Sequence, residues 1–556
     1  MKRWHKIFAA LVMGVFLYGC SSPQEQEPEY ESLNESEYES QGTLAEWEFS
    51  LITGNLTIQG NPDILPGVFF TDNVITAVSG AGAYPRLYEL ADGTVLLGFD
   101  RGRSNNTTAV MVTSSTDMVN WTDPVVVAAY DDLYAANLTF IQLENGDILG
   151  FHRANDDLAN ESRRDGYYSS IRASISRDNG QTWEFHSIVV EEVGRGGVYE
   201  PHPIMIDGTV AVFYANDSFN AVNRHEEQNV EFRLWDGENW GETFIASNGI
   251  ETRSRDGMAV LDRTIDGGYV MVIEATNVAR HPFVVQMTTS PDGLDWSNPM
   301  HNIFVPRQPG RRAAAPYVVT LPDGRFAVSF QTDAGRPVTG DTRAHMKVMF
   351  SLDTQGYEWT EPFIPFLVPD NGMAVWTSIF LRGSSLFAAA GTNHPHGGGI
   401  LLREASVIPY TTAGQNVVNN GMFMFGHTEN WYFTMNDHDF HHDFPRVSDG
   451  NRHGNRYITL TNNTDSDISI SQQIPGVAAG EYTFSVRVFG GADVNVTITQ
   501  GSEAVEFSFN TPSGTDFYTV TVPSITLADG IAHLSITMLG STGETLSLDD
   551  VELIKN

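Results

Sequence analysis

The sequence predicts an all-β protein, a six-bladed β-propeller followed by a β-sandwich (jelly-roll) domain. Three observations predict it. Six apolar hairpins recur between residues 84 and 393, a Ser-x-Asp…Trp corner recurs between them, and the residues after 410 alternate polar and apolar with short Gly-bearing turns. A chain of 556 residues is too long for one ordinary core, so a repeat architecture with a second domain fits its length.

The N-terminus carries Lys2, Arg3 and Lys6, then an apolar run from Ile7 to Leu17, then Gly19-Cys20. A basic start and an apolar run too short for a membrane span read as an export signal. Cys20 is the one cysteine of the chain, so no disulfide forms within it. The Leu-Tyr-Gly-Cys sequence resembles the bacterial lipobox, which implies lipidation of Cys20 and a protein anchored on a bacterial membrane, at the outer membrane or cell surface. We read residues 1–20 as the lipoprotein signal and 21–44 as an acidic tether, with Glu at 25, 27, 29, 31, 35, 37 and 39 and no basic residue.

Residues 45–410 form the expected propeller. Its hairpins are 84–100, 135–153, 199–217, 255–277, 313–333 and 372–393, each an apolar strand, a two-residue turn such as Asp92-Gly93 or Asp323-Gly324, and a second apolar strand. A two-sheet sandwich would not repeat hairpins that are apolar on both faces; a propeller places them as the two inner strands of each blade. The stretch SRDNGQTW holds Ser176, Asp178, Gly180 and Trp183, with looser copies at Ser115-Asp117-Trp121, Ser290-Asp292-Trp296 and Ser351-Asp353-Trp359. A short acidic residue in a turn, a Gly free to take φ > 0 and an aromatic plug describe a corner between outer strands. These corners are expected to be scaffold, remote from substrate.

In an antiparallel hairpin, the start of the first strand and the end of the second share one rim. That rim is expected to hold Tyr84, Arg86, Asp100, Asn137, His152, Glu200, Asp217, Asp256, Glu274, Gln331, Asp333, Trp376 and Asn393. Acids for proton work, amides and Arg for hydroxyls and an aromatic face for a ring suit a carbohydrate. With 69 acidic against 32 basic side chains, nucleic acid is excluded as a partner and a neutral substrate fits better.

Glu200 lies in VYEPHP, between prolines, and Glu274 ends the apolar run YVMVIEATN. Two carboxyls facing one cavity suffice for glycoside hydrolysis, while either paired with a rim arginine (Arg86, Arg253, Arg255 or Arg312) would be structural. The Asp boxes and six blades resemble the sialidase-type propeller superfamily, and YEPHP with VMVIEATN is similar to the two glutamate segments of glycoside hydrolase family 93. That resemblance implies a retaining exo-α-1,5-L-arabinanase acting on linear arabinan of plant type, with Glu274 as nucleophile, Glu200 as acid/base, no cofactor for catalysis and a monomer. The nearest rival is an exo-α-sialidase, because YPRLYEL resembles the Arg-containing strand of that family; Arg86, Arg255 and Arg312 would form its triad. The RAAAP and GMAVWTS segments lack its further Arg and Tyr signatures. A third reading is a surface glycan-binding lipoprotein without activity, against which both retained glutamates argue.

Residues 411–556 are expected to form the sandwich. The opening NNGMF…W and the closing LDDVEL resemble jelly-roll carbohydrate-binding modules, in which Trp431 and Tyr432 would either stack on sugar or fill the core. The run DHDFHHD at 437–443 lacks a second cluster at zinc-ligand spacing and reads as a polar loop; oxygen ligands at Asp549 or Asp550 would suit a structural calcium.

Overall fold

In the computed structural model, the described residues are 67–556 except 105–106, 157–165, 195, 219–226, 337–338, 341–342, 370–371, 393–397, 409–412, 415, 419–420, 422, 424–430, 434–439 and 444–456. The export signal, Cys20 and the acidic tether therefore lie outside the described residues, as do residues 437–439 of the DHDFHHD run, whose remainder, Phe440–Asp443, is a strand and not the loop expected. Among the described residues no helix is long and apolar enough to cross a membrane.

Six small antiparallel sheets form the blades. Blades I to V occupy residues 83–129, 134–194, 198–247, 257–304 and 313–350. Blade VI takes three strands from 374–408 and its outermost strand from Gly67–Ser79, so the start of the propeller pairs with its end. The innermost strands, Ala83–Glu89, Tyr134–Gln142, Val198–Ile206, Gly257–Arg263, Ala313–Thr320 and Ala374–Arg382, touch one another in a closed ring. Closure leaves only short outer edges unpaired. Blade V has three strands, and bridges Val348 to Phe363 and Ser351 to Trp359 stand in for its fourth.

Each pair of neighbouring blades encloses its own apolar cluster. Leu138, Phe140 and Ile148 meet Leu96 and Val110 between blades I and II, for example. This explains why the repeated hairpins are apolar on both faces: each face is pressed against a neighbouring blade. The Asp-box corners lie where the sequence places them, between the third and fourth strands. Asp178 accepts hydrogen bonds from the Thr182 backbone N–H (2.8 Å) and hydroxyl (2.5 Å), and the Trp183 indole donates to the Gly180 carbonyl at 3.0 Å. The Asn179 amide donates to Asp92 of the first blade's hairpin turn at 2.8 Å, which puts this corner at the turn end, opposite the rim.

The C-terminal domain is a sandwich of two five-stranded sheets around one core rich in Val, Ile and Phe. Trp431 is 5% exposed and stacks on Phe423 within that core, so of the two readings for this residue the structure takes the packing one. Tyr432 faces the propeller instead, beneath the Arg307 guanidinium at 4.7 Å. Asp549 and Asp550 lie 3.4 and 3.1 Å from the Arg487 guanidinium.

Candidate active site

A single backbone device builds the site. Every innermost strand carries a β-bulge near its start, with register shifts between Ala83/Arg86, Ala136/Thr139, Tyr199/His202, Gly257/Val260, Ala314/Tyr317 and Val375/Ser378. Within each bulge one non-glycine residue takes positive φ: Tyr84 (57°), Asn137 (64°), Glu200 (47°), Met258 (50°), Ala315 (51°) and Trp376 (56°). Such backbone costs about 1–3 kcal/mol each and persists only where the surroundings impose it. A bulge re-aims its side chain. Tyr84, Met258, Ala315 and Trp376, from four different blades, consequently meet in one cluster on the propeller axis.

The bulges are held from behind by the neighbouring blade. Both carboxylate oxygens of Asp100 accept the Asn137 N–H, at 2.9 and 3.1 Å; Glu274 Oε2 accepts the Ala315 N–H at 2.9 Å; Gln331 Oε1 accepts the Trp376 N–H at 2.7 Å. These three side chains occupy one register position, opposite Ala83, Gly257 and Ala314 on the innermost strand of their own blade. The same position in blade II, opposite Ala136, is Arg153.

Glu200 is part-exposed, and among the described residues its carboxyl has neither a hydrogen bond nor an ion pair. Burial pushes its pKa up, against the nearby Arg153 and Arg255 guanidiniums, which pull it down. Arg255 lies among Asp217, Glu274 and Glu200, whose charges hold it firmly protonated despite burial, and it donates to Gln228 at 2.8 Å. Asp217 Oδ1 in turn accepts the Gly197 N–H at 2.7 Å. Burial takes Asp100 to about 7, with Arg153 opposing, and takes the Tyr84 phenol to about 12. Glu200, Glu274, Asp217 and Asp100 thus surround two arginines in one polar basin, beside the apolar patch of Met258, Ala315 and Trp376.

Three rim expectations need correction. His152 is fully buried, bonds the Tyr130 hydroxyl at 2.9 Å and is held near pKa 3 by burial; its neighbour Arg153 faces the basin instead. Asp256 accepts the Ser247 hydroxyl at 2.6 Å, away from the basin, and its neighbour Arg255 takes the inward place. Arg86 lies a layer deeper: its guanidinium stacks 3.7 Å from the Tyr84 ring centre and donates to the Thr377 carbonyl at 3.1 Å, tying blade I to blade VI. Gln331 serves as a tie for the Trp376 bulge. Sequence reasoning missed Arg153, although a signal existed: Asp100, Arg153, Glu274 and Gln331 each stand seven residues after a turn glycine, Gly93, Gly146, Gly267 and Gly324.

No curated protein matches the chain in sequence. Among solved structures, the family 93 α-L-arabinofuranosidase of Fusarium graminearum in complex with arabinobiose is similar at 18% identity and TM-score 0.45, over 58% of this chain and 93% of that one. The NanB sialidase of Streptococcus pneumoniae is similar at 11% identity and TM-score 0.43, over 62% and 70%. The TmCBM61 module in complex with β-1,4-galactotriose is similar at 17% identity and TM-score 0.23, over 26% of this chain and 99% of that one. Residues 93–365 match the family described as a BNR repeat-like domain, in agreement with the repeated hairpins, their Asp-box corners and the closed ring of blades.

Proposed function

We propose that the propeller is a retaining glycoside hydrolase that cleaves α-L-arabinofuranosyl linkages of linear arabinan, with Glu200 and Glu274 as its working pair. The observation that carries this reading is the contrast between the two carboxyls. Glu200 is unbonded among the described residues, its pKa raised by burial, as a group that gives and takes protons requires. Glu274 is fixed through Oε2 on the Ala315 N–H and lies near the Arg255 charge, which suits a nucleophile that must stay ionised and aimed.

In the first step Glu200 protonates the leaving oxygen while Glu274 attacks the anomeric carbon, forming a glycosyl ester and releasing the shortened chain. In the second, Glu200, now a carboxylate, takes a proton from water that displaces Glu274 and restores both groups. The Arg255 charge favours the Glu274 carboxylate as leaving group. Trp376, Met258 and Ala315 offer an apolar surface to a sugar face.

The choice of arabinan rests on the YEPHP and VMVIEATN motifs. A sialidase is disfavoured by the arginines: Arg86 lies beneath Tyr84, and Arg312 is drawn to Asp333, its backbone N–H on Oδ1 at 2.9 Å. Product analysis on linear arabinan, branched arabinan and a sialyl conjugate tests the reading. Release of short arabino-oligosaccharides from linear arabinan is expected, and release of sialic acid would overturn it.

We also propose that lipid on Cys20 anchors the protein to a bacterial membrane, the acidic segment spacing the propeller from the surface, and that the sandwich assists polysaccharide binding. Cys20→Ala should then leave the membrane fraction; unchanged fractionation would remove the anchor.

A further inference from the structure

The ring of bulged residues is not symmetric. Blades IV, V and VI contribute Met258, Ala315 and Trp376, all apolar, whereas blades II and III contribute Asn137 and Glu200. The hydrogen-bonding capacity left open in the site lies on the same side. Asn137 is 6% exposed and its side-chain oxygen has no hydrogen-bond partner. Arg153 makes no hydrogen bond or ion pair with a described residue, and its Nε is buried without an acceptor. Its guanidinium stands 5.7 Å from the centre of the Tyr199 ring, close to both Asp100 and Glu200.

The register explains why Arg153 is open. The equivalent side chains Asp100, Glu274 and Gln331 accept the N–H of the next blade's bulge, but a guanidinium has no acceptor atom and cannot make that tie. At the one of these positions whose following bulge carries Glu200, the chain thus places a fixed donor where elsewhere it places an acceptor. An open acceptor and an open donor on neighbouring strands are what adjacent hydroxyls of a sugar satisfy, each hydroxyl giving one hydrogen bond and taking another.

We propose that Asn137 and Arg153 form the hydroxyl-reading wall of the site, taking two adjacent hydroxyls of the terminal residue of a neutral saccharide whose less polar face turns toward Met258, Ala315 and Trp376. This rests on the glycosidase reading above. Neutrality follows from charge: Arg153 already faces Asp100 and Glu200, so a further carboxylate from substrate would meet their repulsion.

The test pairs deletions on the two partners. Arg153→Met keeps the stem and removes the fork, and Asn137→Gly removes the amide at a φ that glycine tolerates. Each is assayed on an aryl α-L-arabinofuranoside and on its 2-deoxy and 3-deoxy analogues. On the parent, each variant should lose roughly 10- to 100-fold in kcat/KM, the range for a hydrogen bond to a charged or buried group. Wild type should lose a similar factor on one deoxy analogue, and the variant facing that hydroxyl should lose nothing more on it. Losses that simply multiply would overturn the proposal and leave the glycosidase intact. Preference for a uronoside over the neutral sugar would overturn it too. Wild type inactive on every arabinoside would overturn the reading of the site and this inference with it. Should Met at 153 unfold the blade, Arg153→Lys gives the same comparison with the charge kept, and non-additivity is still expected.

Discussion

The two ends of the propeller treat carboxyl groups in opposite ways. At the turn end, Asp117, Asp178, Asp292 and Asp353 accept backbone and hydroxyl hydrogen bonds that stabilise their charge and lower their pKa. At the rim end, Asp100 and Glu200 are raised by burial, and Glu200 has no hydrogen bond among the described residues. The same strands run between both ends, so composition does not explain the difference. The turn end uses its acids to close corners, while the rim spends backbone strain on bulges that push side chains inward. The corner carboxyls are satisfied and belong to stability; at the rim one hydrogen bond aims Glu274, and Glu200, with none among the described residues, is available to exchange a proton.

The largest effect that would break this comparison lies at the rim. Glu274→Ala should abolish turnover, with azide restoring it as a glycosyl azide of inverted configuration. Glu200→Ala should lose about 10²–10⁴-fold on poor leaving groups and less on good ones, azide then giving retained configuration. Glu200→Ala should not lower the melting temperature as a corner mutation does, since the Glu200 carboxyl makes no hydrogen bond among the described residues. A reversed azide pattern would exchange the two roles, and wild-type activity in either variant would remove the assignment. The acid form of Glu200 is needed in the first step, so kcat/KM should fall as pH rises through its elevated pKa.

At the turn end the readout should invert. Trp183 packs on Phe140 with ring centres 5.7 Å apart and lies against Gly150, filling the seam between hairpins. Trp183→Ala should cost about 3 kcal/mol of stability and leave KM of the folded fraction unchanged. A fall in turnover at unchanged melting temperature would mean that the two ends are coupled.

How much of this was legible in the sequence follows from the same contrast. The hairpins and corners announce themselves, because Asp-Gly turns and the Ser-x-Asp…Trp spacing are local signals whose chemistry fixes their conformation. Glu200 and Glu274 were legible as acids set in apolar surroundings. The bulges were not: Tyr84, Met258, Ala315 and Trp376 are not residues that advertise positive φ, which the closed ring imposes on them. The inner strands also give no alternation to set parity, being buried on both faces, and a one-residue slip turns a side chain to the opposite face. That slip exchanged His152 for Arg153 and Asp256 for Arg255. Only counting from the turn glycine would have fixed the register.

The smallest expected effect sharpens the comparison most, since it asks whether a buried carboxyl at the rim costs stability. Burial holds Asp100 at about 7 in the folded protein, against an ordinary 3.8. Between those values the unfolded chain releases this proton while the folded one keeps it, so rising pH draws the equilibrium toward unfolding; above about 7 both forms are ionised and the slope ends. Asp100→Asn keeps an oxygen to accept the Asn137 N–H but cannot ionise. Wild type and variant should therefore melt alike near pH 4, where both side chains are neutral, and the variant should gain on wild type by roughly 2 °C or more by pH 8. The Asp178→Asn variant at the turn end should behave oppositely, because its carboxylate is the favoured form: it should be the less stable at pH 8 and approach wild type as acid protonates Asp178. Parallel melting curves for Asp100→Asn and wild type across this range would show that the Arg153 charge compensates the buried carboxylate and that Asp100 stays ionised at neutral pH.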